Sequence, residues 1–441
     1  MTLNRRVLTI ALLLFCLSLI LFLINIQFPR SLDFDEFHYI PAAKQLLESN
    51  AVQNTEHPPL AKMLMSLGLL VFGDIPFGWR FMSAVFGAFT LVGMYFFGLT
   101  LFRDEKPALW AVLLTLVNNL LYVQSRIAML DTYMFAFLIW AMVAFCTTWE
   151  KDLKVRTQRR RLAATGVFLG LAIACKWFGV VPWFSMIFLV AWIKLFQVWK
   201  VQFNDHHNKS HNTRSYKNDE WYLPLLWKDI RFGDWLMSLG VLPLATYSFV
   251  FFLYSLLTNQ GFSLDWLVQS QINMWNAQQR VVSFHPYMSQ WFQWPLLNRP
   301  IWYAFDREGL GQAFVRGVLL LGNPLVMWSG VLAILICLRD VILKRDRVAF
   351  LIAFFYCSFF LCWPFIPRRV TFYYYYYPSG MLLSLALAYA FFRDKNELSN
   401  RAKWVFLGVA TLLFIYFFPL LAALKIPAES FRRWMWFQSW I

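Results

Sequence analysis

Eleven apolar runs, most of them long enough to cross a bilayer, leave this chain few ways to fold. They fall near 7–27, 77–101, 107–124, 129–149, 162–175, 178–198, 235–257, 318–338, 348–365, 374–392 and 404–424. A soluble core cannot absorb so many, whereas a membrane requires them, because each span satisfies its own backbone hydrogen bonds. Composition agrees. Of the 441 residues 59% are hydrophobic, and the 46 Phe and 22 Trp suit lipid-facing and interfacial positions. The fold class expected is therefore an all-α polytopic membrane protein of about eleven transmembrane helices. The first run, Val7 to Ile26, follows Arg5 and Arg6 and lacks a small-residue cleavage site, so it reads as a retained helix with a cytoplasmic N-terminus.

Charge tests that topology. With the first helix running outward, 24 of the 40 Lys and Arg fall in cytoplasmic segments, as the positive-inside rule requires. The net charge of +16 is scattered over short loops, which orients a membrane protein and excludes a nucleic-acid patch. The six cysteines lie in apolar runs without metal-like spacing, so no disulfide or zinc framework is expected. His206, His207 and His211 sit in a polar cytoplasmic stretch, 199–231, and read as solvated. Charges cluster at span ends rather than within spans, which argues against a transporter.

Two segments on the outer side are long enough to hold a site, about 27–77 and 258–317, and the tail 425–441 also lies there. Within the first, Ile40, Ala43, Leu46 and Leu47 share one helical face, and a second helix is expected from Pro58-Pro59 to Gly73. Both read as juxtamembrane helices. Asp33, Asp35, Glu36 and His38 crowd the outer end of the first span. In isolation such acids are explained by a helix N-terminus. Glu56-His57-Pro58-Pro59-Leu60-Ala61-Lys62 downstream makes them part of a larger pattern.

That pattern resembles the first external loop of the protein O-mannosyltransferases, membrane enzymes of the GT-C glycosyltransferase class. Further elements follow in order: Gly78-Trp79-Arg80-Phe81, Arg126 to Asp131, Lys176-Trp177-Phe178-Gly179, His285-Pro286-Tyr287, Trp294-Pro295 and Pro367-Arg368-Arg369. The similarity covers about residues 30 to 380. It implies a GT-C fold and transfer of a sugar, mannose in this family, from a polyprenyl-phosphate to a hydroxyl of a secreted protein. The anomeric centre is inverted on the outer face of a bacterial inner membrane. Aminoarabinose transferases that modify lipid A are the rival within the class; His38 and His57 favour the mannosyltransferase branch.

The resemblance assigns Asp35 as catalytic base, with Glu36 beside it raising its basicity or orienting the acceptor. Arg80, Lys176, Arg368 and Arg369 are the expected cations for the leaving phosphate. His38, His57 and His285 are expected to line the site, while Arg126 and Asp131 are expected to pair and pin their loop. The Tyr373 to Tyr377 run and Trp434, Trp436 and Trp440 read mainly as interfacial aromatics. No metal or other cofactor is expected, and no ligand set is spaced for one. The partners implied are the lipid donor, a protein, glycan or lipid acceptor, membrane lipids and a possible second copy. The second external segment is too short for the β-trefoil insertion of eukaryotic members, so this is the minimal form.

Overall fold

In the computed structural model, residues 4–48, 54–150, 153–207, 227, 229–280, 284–393 and 397–441 are described, with backbone alone for 198–207 and 397–399. His206 and His207 have no described side chain, and His211 lies outside the described residues. Helices α1 (Arg5–Leu23), α2 (Glu36–Leu47), α3 (Leu60–Phe72), α4 (Pro76–Phe102), α5 (Glu105–Leu116), α6 (Asn119–Gln124), α7 (Leu130–Thr147), α8 (Val155–Cys175) and α9 (Val180–His207) make the first half. The second half holds α10 (Phe232–Trp235), running through a π-helical turn into α11 (Leu242–Leu257). Then come α12 (Leu264–Gln279), α13 (Pro324–Lys344), α14 (Arg347–Leu361), α15 (Tyr377–Phe392) and α16 (Glu397–Leu421).

Among the described residues, eight helical segments are long and apolar enough to cross a membrane. The other three expected spans are helical but depart from the pattern. The third is broken at Val117-Asn118, where the Asn118 side chain accepts from Leu120 N and starts α6. The fifth extends back to Val155 through a basic first turn, and α15 has only 16 residues. The count of eleven therefore does not follow from helix length and apolarity.

The interior is built on α7, 83% of whose apolar window is buried, packed against α4 and α8, with α13 against α15. The helices α7 and α8 run antiparallel, which brings the start of one beside the end of the other. A cation at a helix C-terminus and an acid at an N-terminus are each favoured by the backbone dipoles. Lys176 and Asp131 occupy those two positions.

In the first external segment α2 and α3 form as expected. The face of α3 with Leu67, Leu70 and Val71 is exposed, which suits a helix lying on lipid. The other face meets α4 at bare backbone. A Cβ on Gly68 would stand 2.3 Å from the carbonyl oxygen of Gly78, so glycine alone permits this approach.

A small antiparallel three-stranded sheet is set into this predominantly helical fold. Strands β1 (Ile301–Glu308) and β2 (Phe314–Leu320) form a hairpin, and β3 (Ile426–Pro427) pairs with the start of β2. Residues 318–320 are thus strand, and the next helix begins at Pro324, in a first-turn position that suits proline. The last Trp of the tail is docked into the protein, while Arg432, Arg433 and Trp436 are exposed. Trp440 is buried and donates to Leu297 O at 2.7 Å, while its own carbonyl accepts from Trp302 at 2.8 Å.

Candidate functional site

Three carboxylates at the start of α2 are sorted by their surroundings. Glu36 is fully buried and grips Arg80 twice, at 2.8 Å from Nε and 2.7 Å from Nη2, while also accepting from Ala128 N at 2.8 Å. Arg80 gives its remaining N–H bonds to the carbonyls of Ile26, Pro29 and Ser31. All five guanidinium donors are then in use inside a closed pocket. This corrects two expectations: Arg80 has no donor left for a phosphate, and Glu36 has no path to an acceptor. Asp33, at the rim, is pushed up to about 7 by burial first and by Glu36 next.

Asp35 has a different environment. It is half-buried, and its Oδ2 accepts from Tyr39 at 3.1 Å and Tyr374 at 3.5 Å. Burial holds this carboxyl above the usual range, with Lys176 and the Tyr39 hydroxyl pulling the other way. The preceding residue, Phe34, sits at φ +53°, in the left-handed region that a bulky side chain seldom adopts. Its ring is edge-on to His285, Tyr303, Phe372 and Tyr374, and this packing holds the strained turn that presents Asp35.

Lys176 binds both oxygens of Asp131, at 2.8 and 2.7 Å, and lies 4.9 Å from the ring centres of Tyr374 and Tyr375. Burial lowers its pKa, and Asp131 pulls it back up. The expected Arg126–Asp131 pair is therefore corrected. Arg126 instead donates to the carbonyls of Leu421, Asn25 and Phe28, joining the ends of α1 and α16.

The Tyr373–Tyr377 run is buried throughout, so it is not an interfacial belt. Tyr375, Trp363 and Phe178 stack in series, with centroids 4.6 and 5.3 Å apart. This stack backs a cavity of about 410 Å³ that Lys176, His57, Arg368 and Gln278 also line. Arg368 lies 5.0 Å over the Tyr375 ring and donates from Nε to Val370 O, whereas Arg369 is exposed and does not line this cavity. Val180 and Val181 continue the wall into an apolar crevice of about 410 Å³ between α9 and α14.

The histidines divide. His57 is held well on the neutral side by burial, then by Lys176 and Arg368. Its loop is pinned by Lys62, which donates to Asn54 O, Asn54 Oδ1 and His57 O and is pushed down to about 7 by burial. His285 packs on Phe34 and Phe372, and its Nδ1 accepts from Tyr287 N. His38 is exposed and borders neither cavity. Sequence reasoning gave no role to Tyr39, Lys62 or Trp363, and it read Tyr374 mainly as an interfacial aromatic. Tyr39 stands one helical turn after Asp35, a spacing that points it back at the carboxyl.

Among the described residues no group of three or more His, Cys, Asp or Glu side chains is placed to hold a metal. The site thus joins a partly desolvated carboxylate, an ammonium on an aromatic floor, and an apolar crevice at one end of a multi-pass membrane bundle. This arrangement suits acid–base and phosphate chemistry on a lipid-borne group.

The comparisons agree with that class. The family described as dolichyl-phosphate-mannose-protein mannosyltransferase matches residues 12–259, and the C-terminal four-span region of protein O-mannosyltransferases matches 263–440. The chain belongs to this family. It is similar to the polyprenol-phosphate-mannose–protein mannosyltransferases of Mycobacterium tuberculosis (24% identity, 92% of this chain, 86% of the relative) and Corynebacterium glutamicum (26%, 92% and 88%). Among solved structures, the Saccharomyces cerevisiae Pmt1-Pmt2 complex bound to the sugar donor aligns with a TM-score of 0.79 at 16% identity, covering 100% of this chain and 93% of that one. ArnT from Cupriavidus metallidurans bound to undecaprenyl phosphate aligns at 0.58 and 17%, covering 96% and 66%. These two likenesses show the GT-C fold.

Proposed function

We propose that this protein is an inverting glycosyltransferase that moves mannose from a polyprenyl-phosphate to a Ser or Thr hydroxyl of a secreted protein. The reaction takes place on the extracytoplasmic face of the plasma membrane. The observation that carries the reading is Tyr374, whose hydroxyl reaches Asp35 while its ring lies under Lys176. One side chain thereby holds a base and a cation side by side. Family membership supplies the donor class, and the named relatives supply the acceptor.

In this mechanism the acceptor oxygen attacks the anomeric carbon as the bond from that carbon to the phosphate oxygen breaks. Asp35 takes the hydroxyl proton, and its raised pKa makes it a stronger base than an ordinary Asp. The departing lipid phosphate takes up the bonding electron pair and is met by Lys176 and Arg368 at the cavity wall. The prenyl chain follows the crevice between α9 and α14, which is open and apolar. Asp131 aims Lys176, and neutral His57 offers a hydrogen bond without adding charge.

Purified protein in nanodiscs, given radiolabelled polyprenyl-phosphate-mannose and a Ser/Thr peptide, should label the peptide. Labelling of lipid or glycan acceptors alone would overturn the protein-acceptor assignment.

A further inference from the structure

A second cavity, of about 170 Å³, lies on the other side of His57 from the charged one. Its walls are the loop at Asn54 and Thr55, the upper part of α11, and one face of α12 carrying Trp266, Gln269, Ser270, Asn273 and Met274. The opposite face of α12 exposes Leu264, Val268 and Ile272, and Trp275 beside them borders the charged cavity. This helix is therefore amphipathic with its apolar side outward, which suits a lipid surface, and it turns its amides toward the first external loop. Two bonds fix it there: Tyr247 donates to Gln271 at 2.6 Å, and Gln278 donates to Glu56 O at 2.7 Å.

The lining chemistry selects a ligand. Neutral hydrogen-bonding side chains dominate, and the one charged group, Lys62, already spends its three N–H bonds on Asn54 and His57. A carboxamide has a donor and an acceptor, as a peptide group does. Gln269 and Asn273 are exposed and four residues apart on a helix, which sets their Cβ atoms about 6 Å apart. That matches the two-residue repeat of about 6.7 Å in an extended chain. Gln269 Nε2 donates to Asn273 Oδ1 at 3.3 Å, which leaves the Gln269 side-chain carbonyl and the Asn273 amide N–H bonds for a ligand. A glycan would want a bare aromatic face, and the groove's indole, Trp266, is stacked on Tyr254. The groove leads to the chemistry: His57 lies edge-on to Tyr39 at 6.1 Å, and Tyr39 bonds Asp35.

We infer that this groove binds the acceptor as an extended, uncharged polypeptide, held by Gln269 and Asn273 so that its hydroxyl passes His57 to Asp35. This rests on the mannosyltransferase reading above. In the full-length protein in nanodiscs, Gln269→Ala/Asn273→Ala should raise the KM for a neutral Ser/Thr peptide about tenfold, the size expected for two lost neutral hydrogen bonds. The KM for polyprenyl-phosphate-mannose should stay unchanged. Asn273→Trp, which fills the groove from an exposed position, should abolish labelling of the peptide while leaving donor binding intact.

Unchanged peptide KM in both variants would overturn the groove assignment alone, because the wild type would still label peptide. An equal rise in donor KM would overturn it too, by showing that α12 shapes the whole loop. A wild type that labels glycan and no peptide would overturn the protein-acceptor reading, and this inference with it.

Discussion

Two ion pairs stand at the same end of the bundle, and they are built to opposite ends. Arg80–Glu36 is closed: both side chains are fully buried, and every guanidinium donor is used. Lys176–Asp131 is open on one side, with the ammonium over two tyrosine rings and facing a cavity. By sequence both cations sit at outer helix ends in family motifs. The difference lies in what surrounds them. A cation whose partners saturate it organises a loop, whereas one that borders empty space can answer a new charge.

The sharpest division comes from Asp35, which sits between the two pairs. Asp35→Asn should lower transfer by about 10²–10⁴, the range for losing a general base, while donor binding measured by equilibrium dialysis is retained. In the wild type, kcat/KM should rise with pH as Asp35 loses its proton. Because burial raises that pKa, the inflection should lie above the ordinary Asp value of about 3.9.

Arg80→Ala should act on folding. Removing one partner of a buried pair costs about 3–5 kcal/mol, so low yield of folded protein and a reduced melting temperature are expected. A well-folded Arg80→Ala protein with weakened donor affinity alone would erase the contrast. Lys176→Ala combined with Asp131→Asn, so that no buried carboxylate is left unpaired, should do what Arg80→Ala does not: keep the fold and raise donor KM, by about tenfold for one charge-assisted contact of roughly 1.5 kcal/mol.

The smallest effect is expected at Asp33. Its native pKa of about 7 exceeds the unfolded value of about 3.9, so it costs no stability at low pH and destabilises progressively as pH rises from about 4 to 7. Asp33→Asn should raise the melting temperature at pH 8 by about 2 °C or more and change it little at about pH 3, below the unfolded pKa. An equal gain at both values would mean that Asp33 does not titrate in that window.

Much of this was legible in the sequence. Apolar runs gave the order of the helices, because a span must be long and greasy whatever packs beside it. The external loop motifs pointed to Asp35, Lys176 and Arg368, which the fold does bring around a shared set of tyrosines. Pairing partners were harder. Asp131 lies five residues from Arg126 and 45 from Lys176, yet the antiparallel α7 and α8 choose the distant one. Arg126 turns instead to carbonyls left bare at the ends of α1 and α16. The sheet was hidden for a similar reason. β3 is two residues long and meets β2 from more than a hundred residues away, so no local pattern announces it.

The bidentate hold of Asp131 on Lys176 has a kinetic consequence. An ammonium already neutralised by a carboxylate attracts an incoming anion less than a bare one would, and it returns to its old partner when that anion leaves. A carrier lipid has to depart after each cycle, and a site that held its phosphate as firmly as Arg80 holds Glu36 would stall on its own product. On the mechanism proposed above, Asp131 would set a residence time: long enough for the bond to break, short enough for the next donor to enter.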